Sequence, residues 1–96
     1  MLVLTRREGE GLLIGKDIRI IVLIVYESKT KLRIQDSEDK AIMMRAGTTT
    51  ALRDEIMIKV VEIDQRQVKL GIEAPKDVKI DREINKLTNM QREKHD

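Results

Sequence analysis

The sequence predicts a mainly β protein that closes with one α-helix, and three observations carry that reading. Apolar and polar residues alternate in short runs broken by turn residues, the period expected of half-buried strands. From Arg82 to His95 there is no Gly or Pro, and Ile84, Leu87 and Met90 recur at threes, a helical spacing. The 96 residues include one Tyr but no Phe, Trp or Cys, so the core must be aliphatic.

The elements follow in order. LVLTRR is a strand, and the glycines of REGEG turn the chain into a second strand, GLLIG. DIRIIVLIVYES begins as alternation and becomes apolar on both faces, which predicts cover on both sides. KLRI and KAIMMR are the next strands. AGTTTALR is poorly patterned and allows strand or loop. EIMIKVVEI and QVKLGIEA flank a turn at DQRQ, and DVKI is set apart by Pro75, which has no N–H to give a ladder. Asp81 is placed to cap the final helix, over 82–94, whose last residues should fray.

Composition excludes several functions. Without cysteine there is no disulfide framework and no Cys-based zinc site. No basic leader precedes a long apolar run, so no signal peptide is expected. IIVLIVY, the longest apolar run, is too short to cross a bilayer as a helix. The net charge of +2 is too small to announce nucleic-acid binding by itself, so any anion must be met by locally placed arginines. No carboxylate pair, Ser/His/Asp set or metal cluster stands out, and His95 stands alone near the end. The glycines at 9, 11 and 15 have the wrong spacing for a dinucleotide loop. An enzyme is not expected, and neither is a cofactor or a metal.

Self-comparison reveals a repeat. With an offset of 38 positions, Arg7 falls on Arg45 and Gly9 on Gly47. Ile18, Ile20 and Val22 fall on Ile56, Ile58 and Val60, and Lys31, Leu32 and Ile34 on Lys69, Leu70 and Ile72. Removing Lys16–Arg53, a block of the same length, joins MLVLTRREGEGLLIG to DEIMIKVVEIDQRQVKLGIEAPKDVKIDREI. The opening LVLTRREGE, the IG–DE junction and GIEAPKDVKIDRE together resemble the carbon storage regulator family (CsrA/RsmA), small bacterial RNA-binding proteins that act after transcription. On this reading the chain is a single CsrA-like domain. Residues 1–15 and 54–84 are its core, and 16–53 are an insertion or a degenerate repeat.

The resemblance implies a small interlocked, barrel-like β-sheet fold with extra inserted strands and a C-terminal helix. In the family two chains interlock, the first strand of one beside the fifth strand of the other. That would bring Arg6 and Arg7 beside Val78–Ile80. Two assemblies are open: a homodimer, which is preferred because it would cover IIVLIV on both faces, or a single-chain pseudo-dimer. In the pseudo-dimer KAIMMR would serve both repeats, and one site would survive.

The family implies a cytoplasmic regulator that binds GGA-containing hairpin loops in mRNA leaders and controls translation initiation or mRNA stability. Small regulatory RNA and protein antagonists are further partners, and no membrane is involved. Carried onto this sequence, the RNA-binding residues are Leu4, Thr5, Arg6 and Arg7 of the first strand. With them come Ala74, Pro75 and Lys76 of the turn, then Val78, Ile80, Arg82 and Glu83. Arg82 is the strongest single candidate, because its planar fork can bond a phosphate or a guanine edge as Lys cannot. Asp81 stands where many members carry histidine, and an acid there could repel phosphate. Arg45, beside Met44, reads as structural. The alternative function is a protein-interaction paralogue that pairs with an ordinary family member or an antagonist and does not bind GGA RNA.

Overall fold

The computed structural model describes residues 1–83. Nine strands follow one another: β1 (Leu2–Arg7), β2 (Gly11–Ile14), β3 (Ile18–Val25), β4 (Lys29–Gln35), β5 (Asp39–Arg45), β6 (Thr49–Arg53), β7 (Ile56–Asp64), β8 (Gln67–Glu73) and β9 (Ile80–Glu83). They form two antiparallel sheets, ordered β1-β8-β7-β6 and β5-β4-β3-β2-β9. Alternate residues of the central strands point inward. Ile18, Ile20 and Val22 of β3 and Ile56, Ile58 and Val60 of β7 join Leu12, Ile14, Leu32, Ile34, Leu70 and Ile72 in one aliphatic core shared by both sheets. The one buried hydroxyl among the described residues, on Thr30, donates to the Ile24 carbonyl at 2.8 Å, so it is not left unsatisfied.

The repeat in the sequence is a repeat in hydrogen bonding. β1 pairs β8 from Leu2↔Ile72 to Arg7↔Gln67, and β5 pairs β4 from Lys40↔Ile34 to Arg45↔Lys29, the same register after the 38-residue offset. The β3–β4 ladder shifts between Val22 and Ile24, and the β7–β8 ladder shifts at the equivalent Val60 and Glu62. Gly9 N donates to Val22 O at 2.7 Å and Gly47 N to Val60 O at 2.6 Å. Both glycines sit at positive φ (85° and 91°), where a Cβ would be strained, which is why both turns keep them.

Connection length decides where the halves diverge. Only residues 36–38 separate β4 from β5, so the chain folds straight back beside β4. Asp36 tightens that turn, its N–H donating to the Glu38 carbonyl and its carboxylate accepting from Glu38 N, both at 2.8 Å. Residues 74–79 separate β8 from β9, enough to leave one sheet and cross to the far edge of the other. Within this one chain β1 pairs β8 and β9 pairs β2.

Four expectations are corrected or set aside. AGTTTALR contains a strand, β6, because β7 offers it a partner edge. DVKI is a strand only from Ile80. Val78 lies in a turn, its N–H donating to Pro75 O at 3.0 Å. Arg82 and Glu83 continue β9 opposite Leu12 and Gly11, so Asp81 lies within a strand and caps no helix at 82. The rest of the expected helix, with Ile84, Leu87 and Met90, falls outside the described residues. Finally, IIVLIV is not covered on both faces: Ile20 and Val22 are fully buried, while Ile24 is exposed. Ile21 and Leu23 are half-buried, and Ile21 lies beside its register partner Arg33. The aliphatic stem of such an arginine can cover apolar surface while its charge stays wet.

Candidate nucleic-acid interface

β1 is the edge of one sheet and β9 the edge of the other. The two edges meet at Arg6. Strand alternation turns Leu4 and Arg6 inward and leaves Thr5 and Arg7 on the outer face. Leu4 enters the core. Arg6 is only 7% exposed. Its guanidinium donates to three carbonyls: Nε to Thr5 O (2.8 Å), and Nη1 to Gly11 O (3.4 Å) and Glu83 O (3.3 Å). The Glu10 carboxylate lies 3.9 Å from Nη2. Arg7 is exposed. With the Gln67 amide turned to satisfy its neighbours, its oxygen accepts from Arg7 Nη2 at 2.7 Å and Nε at 3.2 Å.

On β9, Ile80 pairs Ile14 and Arg82 pairs Leu12, so both share the inward side of the strand, toward β1. Ile80 packs on the core, while Arg82 is exposed at the strand's end. Asp81 pairs Leu13 and so points to the opposite side, with Lys79 Nζ at 4.0 Å. Its charge is thus turned away from the side that carries Arg82. Glu83 is held by Arg19, whose Nε is 2.8 Å from Oε1. Below Arg6 an open groove of about 540 Å³ runs between the start of β1 and the crossing to β9. Met1, Leu2, Ile72, Ala74, Pro75, Lys76, Val78 and Ile80 line it, together with the acidic Glu55 and Glu73. All the residues expected on the first strand and on the Ala74–Glu83 segment therefore lie around one pair of strand edges.

Sequence reading missed the residues that hold this arrangement: Gly11, whose carbonyl meets Arg6, and Arg19, which anchors Glu83. A Cβ at Gly11 would collide with the Ile20 carbonyl oxygen, so this position requires glycine for close approach. Neither residue has a motif of its own, and only the β2 register exposes them. Tyr26, the lone aromatic, stands on the β3–β4 turn with Lys29 Nζ 5.6 Å from its ring centre. Among the described residues no acid–histidine cluster could hold a metal, and no helix is long and apolar enough to span a membrane.

The clearest ionic shifts lie away from these edges. Asp39 accepts from Arg33 Nε (2.9 Å) and Nη2 (2.6 Å), which draws its carboxyl below the usual value and pushes the guanidinium up. Arg53 is likewise raised by Asp17 at 2.8 Å.

Comparison with known proteins agrees with the geometry. The translational regulator CsrA of Desulfovibrio desulfuricans is 38% identical over 69 residues, covering 72% of this chain and 77% of that protein. Its counterpart in Hydrogenovibrio crunogenus is 51% identical over 45 residues, 47% of this chain and 64% of that protein. That of Geobacter metallireducens is 54% identical over 39 residues, 41% and 50% respectively. No solved structure matches the chain. A sequence model of a global regulator protein family, CsrA, matches twice, over residues 1–46 and 42–86, as a duplicated unit would, and the overlap falls in and just after β5. The assignment is to regulators rather than enzymes. The chain belongs to the CsrA family of global regulators.

Proposed function

We propose that this chain is a post-transcriptional regulator that binds GGA-presenting hairpin loops in messenger RNA leaders. In the cytoplasm it would thereby control translation initiation or transcript lifetime. The observation that carries this reading is the hydrogen bond from Arg6 of β1 to Glu83 of β9, which joins the two family contact segments within one chain. Unpaired loop bases can be splayed out and read on their edges. Two strand edges, unpaired among the described residues, offer main-chain donors and acceptors, the Leu2–Ile80 groove offers apolar contact, and Arg7 and Arg82 offer charge. Small regulatory RNAs that present the same loop would compete for the site.

One chain then does the work of a family dimer with one site. Half of a second site is present in β5, but Arg45 has no β9 counterpart beside β6 among the described residues. The test is binding to a GGA-loop hairpin and to the same hairpin with a scrambled loop at near-physiological salt, where sequence-blind phosphate attraction is weakened. GGA preference, one RNA per chain and a particle of monomer mass are expected. Equal, weak binding to both hairpins would sink the RNA reading. A particle of twice that mass with two RNAs bound would restore the two-chain assembly.

A further inference from the structure

We infer that Arg6 is a positioning residue, which clasps β9 against β1 and so builds the RNA-reading edge without itself touching RNA. Of the two arginines in the opening pair, only Arg7 is exposed; Arg6 faces inward. A buried guanidinium without a close carboxylate is costly unless its donors are used. Here Nε and Nη1 are used on carbonyls of three strands: Thr5 in β1, Gly11 in β2 and Glu83 in β9. Among the described residues the Glu10 carboxylate, at 3.9 Å, is the one acid within ion-pairing reach.

The molecule contains its own control. Under the 38-residue offset Arg6 corresponds to Met44, in the same register on β5 and 3% exposed. No strand lies beside β6 at that end among the described residues, so there is none to clasp, and an apolar side chain fills the position. Arg7, which faces outward, corresponds to Arg45 and is kept. The exposed arginine is therefore common to both ends. The buried one is found only where a strand must be held across the gap between sheets. Glu83 is also held by Arg19 on its outer side, and Gly15 N donates to Lys79 O at 2.7 Å. Loss of Arg6 should therefore loosen β9 rather than release it.

The test compares wild type with Arg6→Met, which copies the second half, and Arg6→Lys, which keeps the charge without the fork. Amide hydrogen exchange is read in β9 and β5, and GGA-hairpin affinity is followed against salt. In Arg6→Met, β9 amides should exchange at least about tenfold faster while β5 is unchanged. GGA affinity should fall at an unaltered salt slope, and Arg6→Lys should recover little of either. Unchanged β9 exchange would overturn the inference. So would a salt slope lower by about 0.7, the mark of one lost phosphate contact on a single strand. The binding arm rests on the RNA reading above, but the exchange arm needs no RNA. Failure of GGA binding in the wild type would fell that reading and leave the clasp to be judged by exchange alone.

Discussion

At one end of the molecule β9 lies against β2 and β1 runs past it. At the other, β5 runs past β6, and beyond β6 the described residues place no strand. The two ends share the β1–β8 and β5–β4 register, the bulge of the adjoining ladder and the turn glycines, but β6–β7 shifts between Ala51 and Arg53 where β2–β3 does not, and only one end is finished. The difference lies in the connections. Three residues between β4 and β5 force a hairpin, while six between β8 and β9 allow a crossing. A duplicated unit can thus keep a similar core while a shorter connection leaves one end without its last strand among the described residues.

The most severe way to probe this comparison is in the core. Ile20→Ala and Ile58→Ala remove equivalent, fully buried side chains. Each should cost about 2–5 kcal/mol, by similar amounts, in urea unfolding. A large inequality would show that the halves differ inside as well as at their ends. Next comes the edge. Arg82→Ala should cost about 1–3 kcal/mol of GGA-hairpin affinity in a titration. Arg45→Ala at the open end should leave it unchanged, and equal losses would erase the functional distinction between the ends.

A smaller effect is expected at the hairpin tips. Gln65 and Arg66 both sit at positive φ (49° and 66°), whereas Glu27 and Ser28, their counterparts, do not. The double change Gln65→Asn with Arg66→Gly supplies the residues such a turn favours. It should stabilise by about 1 kcal/mol in thermal unfolding. The smallest effect is acid dependence at the open end. Arg33 lowers the folded-state pKa of Asp39. The stabilisation is therefore present above the ordinary carboxylate range and is lost as pH falls through the lowered value. Both groups are exposed, so Asp39→Asn should only slightly flatten the acid limb of a stability–pH curve.

Most strands were legible because alternation reports which face is buried. Ile18, Ile20 and Val22, like Ile56, Ile58 and Val60, occupy the core that their spacing predicts. β6 was ambiguous because threonine suits loop and edge strand alike, and its pairing with β7 settled the matter. The start of β9 was misjudged because Val78 looks like a strand residue, while Pro75 three places earlier sets up a turn. The arginine pair was legible as a pair but not as two different residues. Sequence spacing alone does not tell that one side chain is sealed between sheets and the other is wet.

The intrachain pairing of β1 with β8 and of β9 with β2 has a consequence for dosage. The resemblance implies ordinary family members whose sites are assembled from two chains, and such sites come apart on dilution and can be remade with foreign subunits. A site tethered by the backbone does neither. On the proposed reading, the occupancy of a site built within one chain would follow RNA concentration rather than subunit concentration.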